Sequence, residues 1–123
     1  MNLHILRWRG RLGNNIIQIK NAIGIALYHQ FNIILPKHKF FNKKYLIINS
    51  NINILNKNIS DSTDFFILDS VRILNKKINY SEIFHKESKK KIIKILKELF
   101  IIKSSKLEEL PDDNLILHIR GGD

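Results

Sequence analysis

The sequence predicts an α/β fold in which a mainly parallel sheet is flanked by helices. An apolar run at residues 3–7 is followed by a glycine-containing turn, a helical pattern over residues 16–31 and a second apolar run at residues 33–35. A strand–helix–strand unit of this length normally joins neighbouring parallel strands. A second amphipathic pattern covers residues 88–103, and an apolar run at residues 115–119 predicts another strand of the same sheet.

The first helix is predicted from apolar residues that share one face at helical spacing, namely Ile16, Ile19, Ile23, Ala26 and Leu27. Asn14 or Asn15 is expected to cap its first turn through a side-chain oxygen, and Asn32 is expected to end it. Between the two clear helices, the sequence predicts a strand at residues 45–48, a loop over residues 49–64, a strand or a buried turn at residues 65–68, and a short helix beginning within residues 81–85.

Length and composition exclude several classes of protein. The chain has 123 residues, the size of one domain, and no cysteine, so disulfides and thiolate metal sites are excluded. No apolar run approaches the roughly 18 residues that a membrane span needs, and the N-terminal apolar run is too short for a signal peptide. We therefore expect a cytoplasmic protein with no transmembrane segment, which associates with membranes at most peripherally.

The formal charge of +10 raises the question of a nucleic-acid partner. Lysines make up 16 of the 21 basic residues and are scattered, and the chain is also rich in isoleucine and asparagine, as AT-rich coding favours. Few aromatic residues stand beside basic ones, where they could stack on bases. A solvated basic surface is therefore the preferred interpretation, and nucleic acid is not the expected partner.

The stretch GRLGNN, at residues 10–15, is the first candidate binding element. Glycines allow a tight turn and a close backbone approach to a ligand, and the helix behind them presents unpaired N–H groups and the positive end of its dipole. These features suit an anionic or hydroxylated ligand. The spacing matches neither the dinucleotide-binding fingerprint nor a P-loop. Taken alone, the stretch is better interpreted as a turn that simply joins a strand to a capped helix.

The stretch HIRGGD, at residues 118–123, is the second candidate. On an alternating strand, His118 and Arg120 share a face at the carboxyl end, where open α/β sheets bind ligands. Arg120 could bind phosphate oxygens in a bidentate manner, with Asp123 holding the arginine or capping a following helix. The alternative, equally weighted, is that His118 belongs to the core and that Arg120 forms a surface ion pair.

Together, and in this order, the two stretches resemble the fucosyltransferases that use GDP-fucose, which include α-1,2-, α-1,6- and protein O-fucosyltransferases. Members carry a G-x-[LF]-G-N-[QN] turn after the first strand and an H-x-R-R-x-D or H-x-R-x-G-D strand later in the chain. The match is confined to residues 7–36 and 115–123. The resemblance implies two facing Rossmann-like domains of the GT-B type. Residues 1–110 would form the first domain, and residues 111–123 a linker and the first strand of the second.

The resemblance also implies roles for individual residues. Arg120 would be the catalytic residue, binding the donor's β-phosphate and stabilising the departing GDP, while His118 and Asp123 would complete the donor site. The turn that closes over the sugar and pyrophosphate would contain Gly10, Arg11, Gly13 and Asn14. The implied ligands are GDP-fucose and a glycan acceptor. No metal or cofactor is implied, since a fixed arginine stabilises the diphosphate charge that develops.

Two departures from the family pattern qualify this hypothesis. Gly121 replaces the second arginine found in many members, and the chain has no domain that would bind guanine. We therefore expect a truncated fucosyltransferase or an N-terminal fragment of one, which transfers no fucose alone and binds GDP weakly and in a salt-sensitive manner. The alternatives are an inactive remnant that serves as a binding module and a small basic nucleic-acid-binding protein.

Overall fold

A computed structural model of the chain describes residues 1–54, 65–72 and 79–100. Within these ranges the elements, in chain order, are β1 (Asn2–Ile5), α1 (Leu12–His29), β2 (Asn32–Ile34), β3 (Tyr45–Leu46), β4 (Phe65–Leu68), α2 (Tyr80–Ile83) and α3 (Lys86–Leu99). The prediction of an α/β fold is confirmed. The strand predicted at residues 115–119 lies outside the described residues, as do the linker and second domain expected from residue 111 onward.

The four described strands form one mixed sheet in the order β3-β2-β1-β4. β1 pairs in parallel with β2, where Leu3 lies opposite Ile33, and also in parallel with β4, where Leu3 lies opposite Phe66. β3 is antiparallel to β2. The predicted strand–helix–strand unit is therefore present as β1–α1–β2, and its two strands are adjacent in the sheet.

α1 lies at the centre of the fold, packed on the sheet on one side and on α2 and α3 on another. This position explains why α1 is buried over most of its circumference, and the apolar residues that it buries are isoleucine, alanine and glycine. Leu3, Ile5 and Ile33 from the sheet meet Ile19 and Ile23 of α1, and none of these five side chains is exposed. α3 contributes an apolar stripe to the same core, formed by Ile92, Leu96 and Leu99.

Both ends of α1 differ from the prediction. The helix begins at Leu12 with Arg11 as its N-cap residue, so the expected capping by Asn14 or Asn15 is wrong. It ends at His29, followed by Gln30 in the left-handed region with φ of 61°. Asn32, which was expected to end the helix, is the first residue of β2, and its side chain is buried.

The buried amide of Asn32 holds the loop at residues 48–52 against the sheet. The Asn32 side chain accepts hydrogen bonds from the backbone N–H groups of Ile48 and Asn49 and donates to the carbonyls of Asn49 and Ile52, at 2.7–3.0 Å. All four hydrogen-bonding positions of this fully buried amide are therefore used. Its register partner, Asn2, donates to the carbonyl of Asn53 on the same face.

Candidate functional site at the carboxyl edge of the parallel strands

The loops that follow β1, β2 and β4 meet at one edge of the sheet. Trp8, after β1, donates from its indole N–H to the carbonyl of Pro36, after β2, at 3.1 Å. Arg9, also after β1, binds Asp69, after β4. Because these three strands run in parallel, the contacts place all three loops at their carboxyl ends. Ligands of open α/β sheets bind at this edge.

The strand order identifies one position on this edge. From β1 the chain passes through α1 to β2 on one side, whereas β4 pairs with β1 on the other side. The order therefore reverses between β1 and β4, and ligands of open α/β sheets bind at such a reversal. Residues 6–11 lie on one side of this position and residues 69–72 on the other.

Two arginines and one carboxylate occupy the gap between these loops. Arg7 donates from Nε to Asp69 Oδ1 at 3.0 Å, and Arg9 donates from Nη2 to Asp69 Oδ2 at 2.7 Å. Hydrogen bonds from Arg7 and Arg9 hold the pKa of the Asp69 carboxyl below its usual value. The cluster carries one net positive charge, and both guanidinium groups stay partly exposed, so an anion can reach them.

The N-terminus of α1 directly follows the loop that carries Arg7 and Arg9. Arg11 makes no side-chain capping bond, and the first turn contains no acidic residue. Gly10 has a φ of 69°, which favours glycine, and the Asn14 side chain fills the space that a Cβ at Gly10 would need. A Cβ at Gly13, in contrast, would meet nothing within 4 Å. The positive end of the helix dipole therefore lies where an anion can approach the backbone of the first turn.

Three buried polar residues on α1 fix the loops in place. Gln18 accepts from the backbone N–H of Arg9 and donates to the carbonyl of Arg7, at 3.1 and 2.8 Å. Asn15 donates to the carbonyl of Arg9, and Asn21 to that of Val71. From the sequence we considered Asn15 only as a helix cap and did not single out Gln18 or Asn21. Their signal in the sequence is the three-residue spacing of three amides along a helix that is otherwise rich in apolar residues.

His38 joins the loop after β2 to the start of α1. Its Nδ1 accepts from the backbone N–H of Phe40, so the neutral ring carries its proton on Nε2 and donates to Asn15 Oδ1 at 3.0 Å. Burial and, to a lesser extent, the charge of Lys39 lower the pKa of the His38 imidazole. The ring also stacks on Phe41 and contacts the edge of Trp8.

The residues predicted from the two motifs have different outcomes. The structure places Gly10, Arg11, Gly13 and Asn14 together at the carboxyl edge, although Gly13 and Asn14 belong to the first turn of α1 and not to the preceding loop. The second motif, with the three predicted donor-site residues His118, Arg120 and Asp123, lies outside the described residues.

Comparisons of the chain with models of protein families, with curated proteins and with solved structures give no match. Within residues 1–54, 65–72 and 79–100, no group of three or more histidine, aspartate or glutamate side chains is placed to hold a metal ion. In the same part of the chain, no helix has the length and apolar character of a membrane span.

Proposed function

We propose that this chain provides part of the donor site of a GDP-fucose-type glycosyltransferase, with its α/β domain in the role of the first Rossmann-like domain of a GT-B enzyme. The observation that carries the proposal is the position of the GRLGNN turn at the carboxyl edge, beside the point where the strand order reverses. In open α/β folds, nucleotide pyrophosphates occupy this position.

The charges at this edge suit a diphosphate. Arg7 and Arg9 lie at this position, Arg11 is the N-cap residue of α1, and the helix presents its first-turn N–H groups at the same edge. The open space at the Cβ position of Gly13 leaves room for a phosphate near these N–H groups. These groups would hold the pyrophosphate of the donor from the side of the first domain.

In the proposed transfer, a hydroxyl oxygen of the glycan acceptor bonds to C1 of fucose while the bond from C1 to the β-phosphate oxygen breaks. GDP leaves with the electron pair, and the hydroxyl proton passes to solvent or a base. Negative charge grows on the leaving diphosphate, and fixed positive groups stabilise it more in the transition state than in the ground state. Arg120 is proposed to supply the principal charge, assisted by the arginines that follow β1.

A titration with GDP tests the proposal. In amide NMR spectra at low salt, GDP is expected to shift the resonances of residues 7–15, with binding that weakens as salt is added. Guanosine, which lacks the diphosphate, should leave these resonances unchanged. Arg120→Ala should weaken GDP binding by about tenfold or more, as expected for loss of a charged hydrogen-bonding partner.

A pair of charge-removing variants distinguishes a specific GDP site from general attraction of GDP to a basic protein surface. Arg11→Gln and Lys86→Gln remove the same charge, but Lys86 begins α3 beside the C-terminal half of α1. Only Arg11→Gln is expected to weaken GDP binding, by roughly threefold to tenfold. Equal weakening by both variants, or shifts spread over the whole basic surface, would reject a donor site at this edge.

A further inference from the structure

A second cleft lies at the other end of α1, between its C-terminal half, α2 and the first turns of α3. Its volume is 290 Å³, near the lower end of the range of small-molecule sites. From Gly13 to Tyr28, α1 rises about 22 Å at 1.5 Å per residue, so this cleft is separate from the carboxyl edge.

The floor of the cleft includes the apolar residues Leu27 and Ile83 together with Gly24. A Cβ at Gly24 would clash with the ring of Phe84, which directly follows α2. α2 is therefore seated closely on α1, which gives the floor a defined shape.

The rim of the cleft mixes donors and acceptors. Tyr28 donates from its hydroxyl to Glu82 Oε2 at 2.8 Å, which leaves the other carboxylate oxygen to accept. His85 Nδ1 accepts a hydrogen bond from the backbone N–H of Ser88, so the neutral ring carries its proton on Nε2 and can donate from there. Lys91 adds an ammonium group as a further donor. The charges of Glu82 and Lys91 cancel, so the rim favours a ligand with hydroxyl groups over a strongly charged one.

Gln30 also lines the cleft. It ends α1 as a left-handed C-cap, and its backbone N–H donates to the carbonyl of Ala26. Its side-chain N–H donates to the carbonyl of Leu27, so the amide oxygen is directed away from this bond and can accept.

We propose that this cleft binds one sugar ring of a neutral glycan. A pyranose presents an apolar face of C–H groups and a rim of hydroxyls, each able to donate and accept, which matches the apolar floor and mixed rim. Lys91 and His85 would donate to hydroxyl oxygens, while Glu82 and Gln30 would accept from hydroxyl protons. This binding does not depend on the proposed transferase activity, since it uses different residues at the opposite end of α1.

Amide NMR titrations of the 123-residue chain with galactose, glucose, fucose and N-acetylglucosamine test this proposal. At least one sugar should cause saturable shifts at residues 27–30 and 82–91 and none at residues 10–15. Lys91→Met should weaken this binding by roughly tenfold, whereas Lys90→Met, an equal charge change on the neighbouring residue outside the cleft, should not. Tyr28→Phe, which removes only the hydroxyl, should also weaken it.

Three outcomes would overturn the proposal. The first is an absence of saturable shifts up to about 100 mM sugar, since even weak sugar sites fill at that concentration. The second is equal weakening by Lys90→Met and Lys91→Met, which would indicate a general charge effect. The third is saturable binding of free amino acids in place of sugars, which would assign the cleft to zwitterions.

Discussion

Arg9 and Asp69 are joined by three hydrogen bonds across the gap between the loops that follow β1 and β4. Arg9 Nε donates to the backbone carbonyl of Asp69 at 3.1 Å and to Oδ1 at 3.2 Å, and Nη2 donates to Oδ2 at 2.7 Å. The arginine thus fixes both the backbone and the side chain of its partner. It also keeps a guanidinium group at the carboxyl edge, where the proposed donor diphosphate would lie.

Asp69→Asn is expected to change stability and anion binding in opposite directions. The variant loses the carboxylate that Arg7 and Arg9 share, so the midpoint of thermal unfolding should fall modestly. The edge gains one positive charge, so GDP should bind roughly threefold more tightly at low salt. Thermal melts and GDP titrations of the same preparation check both effects. Weaker GDP binding in the variant would show that Asp69 mainly positions Arg7 and Arg9, and does not mainly compete with GDP for them.

The two glycines of the GRLGNN turn are expected to respond differently to alanine. Gly10→Ala should lower the free energy of unfolding by roughly 1–2 kcal/mol, because its φ of 69° is costly for any side chain. Gly13→Ala should leave it unchanged or raise it by up to about 1 kcal/mol, because Gly13 is helical and has open space around it. Urea unfolding measures both variants. Equal losses would contradict the placement of Gly13 in the first turn of α1.

Asn32→Leu is expected to be among the most destabilising single substitutions in the chain. The variant leaves four backbone groups of the loop without their partners, which should cost about 3 kcal/mol or more. Asn2→Leu is the matched control, because Asn2 makes one such bond and its Oδ1 has no partner among the described residues. Its cost should be near 1 kcal/mol. Similar losses in both variants would refute the assigned role of Asn32.

The stability of the chain is expected to fall on the acid side of neutrality. Burial lowers the pKa of His38 in the folded state relative to 6.5, so the unfolded chain binds the proton more readily. The free energy of unfolding is therefore unaffected by protonation of His38 above pH 6.5, and it decreases as the pH falls below 6.5.

Urea unfolding between about pH 8 and pH 5 measures how the free energy of unfolding changes with pH. His38→Gln should reduce this change and leave a remainder from His4, whose pKa is also lowered by burial. Stability that rises as the pH falls through this range would contradict the assignment.

Much of the fold could be predicted because the β1–α1–β2 unit is local in sequence. The alternation of apolar runs and a turn within the first 35 residues specifies two strands and the helix between them. The short elements predicted at residues 45–48, 65–68 and 81–85 are present as β3, β4 and α2. The antiparallel pairing of β3 with β2 was not predicted, because a two-residue strand does not specify its partner. The ends of α1 were wrong because asparagines are common both at helix caps and in buried hydrogen-bond networks, and sequence alone does not separate these roles.

The sequence by itself determined the α/β class, the helical faces that form the core, and the position of Gly10 in the turn between the first strand and the first helix. These properties follow from local periodicity and from the conformational freedom of glycine. Only the tertiary structure decided that Asp69 lies between Arg7 and Arg9, and that Tyr28 meets Glu82 across a cleft. Each of these contacts joins residues more than 50 positions apart, and such pairs are set by how strands and helices pack, which no local pattern encodes.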